Sequence, residues 1–142
     1  RKYYIESNRS HYNHAHHSEG LDVAEQIIAE KYPEYSAAFT KVCNRTWAHM
    51  FNMFVMRRDL FNQYCEWMFS ILEEIEKRVD ISGYDMYEAR IYGFVSEILL
   101  DVWLEANNIN YKEQNVSFME PQNWLKKGSS FVLRKFGLQS KG

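Results

Sequence analysis

A helix-rich α/β fold whose main sheet is supplied elsewhere is what this sequence predicts, and three observations predict it. Two long stretches, residues 59–79 and 85–106, carry apolar residues at steps of three and four, the spacing of one helix face. Four short runs, at Lys2–Ile5, Met53–Met56, Ile109–Lys112 and Val116–Met119, have extended character and are scattered among about five helices. No strand–helix–strand alternation recurs, and there is no internal repeat.

Taken in order, Lys2–Ile5 reads as a short strand leading into a polar, histidine-rich loop that ends near His17. Leu21, Ala24, Ile27 and Ile28 then mark a helix over 18–31, with Ser18 as a candidate N-cap. Pro33 breaks it and is suited to the first turn of the next helix, whose buried face is Tyr35, Ala38, Phe39 and Val42 and which stops near Asn44. The aromatic and β-branched run 46–56 suggests a buried strand at Met53–Met56, approached by a loop over Ala48–Asn52. The helix over Asp59–Val79 has an apolar seam of Phe61, Cys65, Met68, Leu72, Ile75 and Val79, opposite Gln63, Glu66, Glu73, Glu74 and Lys77. Asp80–Gly83 closes it, with Gly83 the expected residue at positive φ. In Asp85–Ala106 the stripe is Tyr87, Ile91, Phe94, Ile98 and Val102, widened by Val95, Leu99 and Trp103, and Asn107 and Asn108 supply a C-cap.

Composition sets the bounds. With 142 residues there is room for one modest core, and 46% hydrophobic content with 16% aromatic residues excludes a disordered chain. No run of eighteen apolar residues exists to span a membrane. The formal charge of −2 argues against nucleic-acid binding, yet it is unevenly spread: residues 1–120 carry −7, and residues 121–142 carry +5 with no acid. That basic, aromatic tail suits contact with an anionic membrane face, or else packs on its own domain. Cys43 and Cys65 lie within helical patterns and read as buried thiols of a reducing compartment, which places the protein in the cytoplasm.

Two constellations carry chemistry. The first is the segment holding Asn8, Arg9, His11, Tyr12, His14, His16 and His17: it suits an anionic or phosphate-bearing ligand, a wrapped metal ion less well, and is otherwise a polar surface loop. The second is Asp85, Glu88, Arg90 and Glu97. Glu97 lies two helical turns after Arg90, near the apolar stripe, so each charge must be paired or must face a cleft. A carboxylate at a cleft edge serves as a general base toward a hydroxyl; the alternative is an internal Arg–Glu brace, with Asp85 a helix cap. His49 reads as a core-edge histidine. There is no Gly-rich phosphate loop, nucleophile elbow, paired-cysteine motif or Asp-x-Asp element.

The runs HYNHAHHSEGLDVAEQIIAEKYPEY, FNMFVMRRDLFNQYCEWMFSILEEIEKR and YEARIYGFVSEILLDVWL resemble the C-terminal half of a bacterial glycosyltransferase-like family of uncharacterised domain, DUF4422-like, found with capsular and exopolysaccharide genes. The three runs hold 71 residues within the span 11–104. It implies the mostly helical, acceptor-side half of a GT-A-like nucleotide-diphospho-sugar transferase over residues 1–120, followed by the 121–142 tail. The chain starts at Arg1 and not at methionine, and a nucleotide-binding half is expected ahead of it. The implied reaction moves a sugar from a nucleotide-sugar to a lipid-linked saccharide at the inner face of the cell membrane. Mn²⁺ or Mg²⁺ would be held mainly by the other half. Glu97, or Asp85, is the implied general base. Asn8, Arg9, His11, Tyr12, His14, His17, Asn52, Tyr87 and Arg90 are the implied substrate contacts. The alternative is a non-catalytic saccharide-binding or partner-docking helical domain.

Overall fold

The computed structural model of the chain describes residues 2–115. In chain order its helices are α1 (Asn8–Ala15), α2 (Glu19–Lys31), α3 (Ser36–Asn44), α4 (Arg58–Arg78) and α5 (Ile91–Ala106). Short 3-10 turns at Pro33–Tyr35 and Glu88–Arg90 lead into α3 and α5. All five helices lie in a unit spanning Arg1–Asn110; of a second unit, Tyr111–Gly142, residues 111–115 are described and are exposed coil. The expected strand Val116–Met119 and the basic tail lie outside the described residues.

Helix α5 organises the rest because its sequence leaves it no wet face. Ile91, Val95, Ile98, Leu99, Leu100, Val102 and Trp103 are all buried, which places apolar groups around most of its circumference. A helix of that kind has to be surrounded, and α2, α3 and α4 pack against it. From α2 come Leu21, Ala24, Ile27 and Ile28; from α3, Ala38, Phe39 and Val42. The buried seam of α4 is Tyr64, Trp67, Met68, Ile71 and Ile75. Of the expected line Met68, Ile75 and Val79 are buried, Cys65 and Leu72 are partly buried and Phe61 is exposed; Tyr64, Trp67 and Ile71 each lie one residue before a member of that line and widen the seam. The wider rings of Tyr64 and Trp67 reach Trp103 and Tyr35, at 5.6 and 4.7 Å between centroids, and Phe61 stays exposed.

The mixed α/β expectation is not met among the described residues, which are mostly helical and hold no named strand. An isolated antiparallel bridge joins Lys2 to Trp47, with the Tyr3 N–H donating to the Thr46 carbonyl at 2.6 Å. Residues 53–56 belong to no helix or strand, but they alternate as expected, with Met53 and Val55 exposed and Phe54 and Met56 half-buried. Period alone does not make a strand: a neighbouring backbone must pair with it, and no described segment does.

Other corrections are local. The histidine-rich segment is helix α1 and not a loop, capped by Ser7, whose side chain accepts from the Ser10 N–H at 3.2 Å. Ser18 occupies the cap position of α2, but its side chain makes no capping hydrogen bond. Gly83 does not adopt a positive φ; the turn is built by Asp80 Oδ1, which accepts from the Ser82 N–H at 2.9 Å. The last helix begins at Ile91 and not near Asp85, and Tyr87 is half-exposed rather than part of the buried stripe. At its far end Asn108 takes a left-handed φ of 51°, as a C-terminal asparagine predicts. Cys43 and Cys65 are free thiols, and burial raises the Cys43 pKa to about 11.

Candidate functional site

A small, partly open cleft lies between α1 and the first half of α5. The helical period of α1 brings Asn8, His11 and Tyr12 to one side, with His16 immediately beyond the helix end. Helix α5 contributes Phe94, Glu97 and Ile98, and Tyr3 and Met50 close the rim. Of the residues proposed from sequence, Asn8, His11, Tyr12 and Glu97 therefore meet in one place.

They do not have equal freedom. Asn8 is buried, and its Nδ2 donates to the Val42 and Trp47 carbonyls, both at 2.8 Å. It is a clamp that fixes α1 against the end of α3. Tyr12 is a core residue whose phenol is made harder to ionise by burial. His11 stacks on Tyr3 at 4.1 Å, and its Nδ1 donates to Glu6 Oε1 at 2.9 Å. Half-buried Glu97 is the one carboxylate of the cleft lining.

The floor is aromatic. The His16 ring lies 3.7 Å from that of Phe94, nearly parallel, with Tyr87 5.2 Å from Phe94 and 5.8 Å from His16. Burial, reinforced by His11, lowers the His16 pKa, and its Nδ1 is buried without a hydrogen-bond partner. The ring is therefore neutral near pH 7 and serves as an apolar surface. Arg90, one turn before Phe94, places its guanidinium over the Phe94 ring at 5.4 Å. The enclosed space is about that of one water molecule, so a larger ligand would engage this cleft at its open rim, where the carboxylate and the imidazole can meet hydroxyl groups.

The remaining predicted residues are engaged elsewhere. Arg9 is held by Asp22 at 2.7 Å and Glu25 at 2.6 Å on α2. His14 is largely exposed and bonds the second oxygen of Glu6 at 3.0 Å. The resulting pair of histidine hydrogen bonds, His11 first, lowers the Glu6 pKa. His17 pairs with Glu88 at 2.9 Å and stacks on Tyr84. Asn52 donates to Ser96 Oγ at 2.8 Å from a turn in which it and Phe51 both have positive φ. Asp85 Oδ1 accepts from the Tyr87 and Glu88 N–H groups at 2.8 and 2.7 Å, the work of a cap.

Sequence reasoning missed a second polar cluster. Asp101, buried in the middle of α5, is ion-paired with Arg45 at 2.6 Å and accepts from His49 Nδ1 at 2.6 Å and from the His49 N–H at 2.9 Å. Arg45 also lies flat over Trp47 at 3.6 Å. The signal was present, since one acid inside ILLDVWL must find partners if the helix is buried. The cluster ties the 45–49 segment to α5 behind the cleft.

Among the described residues no three His, Cys, Asp or Glu side chains stand close enough to hold a metal ion. No helix among them is long and apolar enough to cross a membrane. A family model described as a domain of unknown function, DUF4422, matches residues 1–108, a span that includes all five helices and the whole cleft. No curated protein and no solved structure matches the chain.

Proposed function

We propose, from the premise that the chain belongs to the DUF4422 family, that its helical body is the acceptor-side part of a glycosyltransferase. The enzyme would transfer a sugar from a nucleotide-sugar donor to a lipid-linked saccharide, in the making of capsular or exopolysaccharide. The observation that carries this reading is the cleft itself: a single lining carboxylate, Glu97, beside His11, His16 and Phe94, with Tyr87 next to Phe94. The donor-binding sheet of a GT-A-like fold is not among the described residues and would be a separate part of the site. The basic segment 121–142 would meet the anionic membrane face that carries the acceptor lipid, on the cytoplasmic side.

In this mechanism the acceptor sugar engages the open rim of the cleft with one hydroxyl toward Glu97. The Glu97 carboxylate accepts the proton of that hydroxyl as its oxygen bonds to the anomeric carbon of the donor. The bond from that carbon to the nucleoside diphosphate breaks, and its electron pair leaves with the phosphate. Asp85, whose Oδ1 already receives two backbone N–H groups, is left to cap its turn. Mn²⁺ or Mg²⁺, which such transfers commonly use, has no site among the described residues, and no step here runs through one.

Assay of sugar transfer by the protein containing residues 1–142, with and without Glu97→Gln, tests the proposal. The expected loss in turnover is roughly 100-fold or more, with an unchanged melting temperature. Near-wild-type turnover in the folded variant would remove Glu97 from the chemistry. Saccharide binding with no transfer in the unmodified protein would favour the non-catalytic binding domain instead.

A further inference from the structure

The sequence assigns recognition of an anion to Arg9 and the histidines, and the structure takes that role from them. Arg9 is neutralised by Asp22 and Glu25, His11 and His14 share Glu6, and His17 is paired with Glu88. Arg90 differs. Its guanidinium lies over Phe94, its side chain is exposed, and among the described residues no carboxylate is paired with it. The acids nearest to it in sequence are already engaged, Glu88 by His17 and by the Asp85 N–H, and Asp85 by the Tyr87 and Glu88 N–H groups.

The position matters as much as the charge. Phe94 is shared: it lines the cleft, stacks on His16 and carries Arg90 above it, while half-exposed Tyr87 stands 5.2 Å away. With His16 stacked on Phe94 and Arg90 over the same ring, a saccharide in the cleft would meet the edge of Phe94, beside the Arg90 fork. Guanidinium is charged at every working pH, and its paired N–H groups match the oxygens of a carboxylate or phosphate. Stacking on an aromatic ring fixes the plane of the fork without consuming its donors.

We infer that the saccharide taken at this cleft bears an anionic group, and that Arg90, stacked on Phe94, is the residue that reads it. The inference rests on the reading of the cleft as a saccharide site and adds to it a class of ligand. Two sources share the chemistry: the carboxylate of a sugar acid, and the phosphate of a sugar phosphate such as the one that joins a saccharide to its lipid.

The test is a titration of the full chain with methyl glucoside, methyl glucuronide and glucose 1-phosphate, followed by NMR. At least one charged ligand is expected to bind roughly 10-fold more tightly than the neutral one. Preference for the glucuronide identifies a sugar acid, and preference for the phosphate identifies a glycosyl phosphate. Arg90→Gln is expected to abolish the preference at an unchanged melting temperature, and Arg90→Lys to restore part of it. Equal affinity for all three ligands, or an Arg90→Gln variant with its preference intact, overturns the inference and leaves the saccharide site standing. Absence of binding by all three overturns the saccharide reading as well.

Discussion

At Asp101 a buried carboxylate receives an arginine, an imidazole N–H and a backbone N–H, each within 2.9 Å. Removing its charge would leave partly buried Arg45 with only Glu105, at 3.9 Å, as a counter-ion, and breaking such a pair is expensive. Asp101→Asn is expected to cost about 3 kcal/mol, measured by urea denaturation; a loss below about 1 kcal/mol would show that the cluster does not hold the 45–49 segment. His16 gives a pH dependence. The fold lowers its pKa by burial, so the neutral form is favoured and its full contribution is present above the free value of about 6.5. As pH falls through that value the unfolded chain takes the proton first, and stability declines. Melting temperature should therefore drop between about pH 7 and about pH 5.5, and His16→Leu should flatten that part of the curve. Parallel curves would exclude His16 as the cause. Glu6 acts in a lower window, because its two histidine hydrogen bonds lower its pKa and its contribution fades only as pH falls below about 4.5. At this scale the sequence was partly legible: residue type and spacing singled out His11 and Glu97, which the fold brings to one cleft. The loss of Arg9 and His17 to salt bridges was not legible, because their partners lie 13 or more residues away in sequence, on other elements.

Among the elements, α2, α3 and the body of α5 were legible because their apolar residues outnumber any alternative face. Helix α1 was not. Its buried residues are Asn8 and Tyr12, so no apolar period announces it. Helix α4 was found with part of its seam: Met68, Ile75 and Val79 are buried as their spacing requires, but Tyr64, Trp67 and Ile71, one residue earlier, are buried more deeply than Phe61, Cys65 and Leu72. The closest approach of elements is at Gly20 in the first turn of α2. A Cβ there would stand 2.5 Å from Ile91 Cγ1 and 3.0 Å from the Tyr12 hydroxyl. Gly93, in the first turn of α5, has open space where a Cβ would go. Gly20→Ala is thus expected to destabilise by about 1–3 kcal/mol through overpacking, and Gly93→Ala to stabilise by about 0.5–1 kcal/mol through helix propensity. Thermal denaturation of the two variants side by side checks the pair. The same sign for both would mean that α1, α2 and α5 do not meet as closely as drawn.

For the molecule as a whole, hydropathy settled that α5 would be enclosed and that helices would enclose it. It did not settle where the polar ends of those helices would converge. That depended on Asn8, Ser7 and Asp101, whose hydrogen bonds set the placement of α1 and of the segment after α3. The outcome is a cleft at the α1–α5 junction, within the span that DUF4422 covers, with one carboxylate in its lining and a charge-bearing aromatic floor. The most direct test of the saccharide reading is NMR mapping of amide and ring shifts in the full chain on addition of nucleotide-sugars and of acidic and neutral saccharides. The account predicts that shifts concentrate on Tyr3, His11, His16, Phe94 and Glu97, and that Glu97→Gln weakens them. Shifts confined to another face, or none with any saccharide, would contradict it.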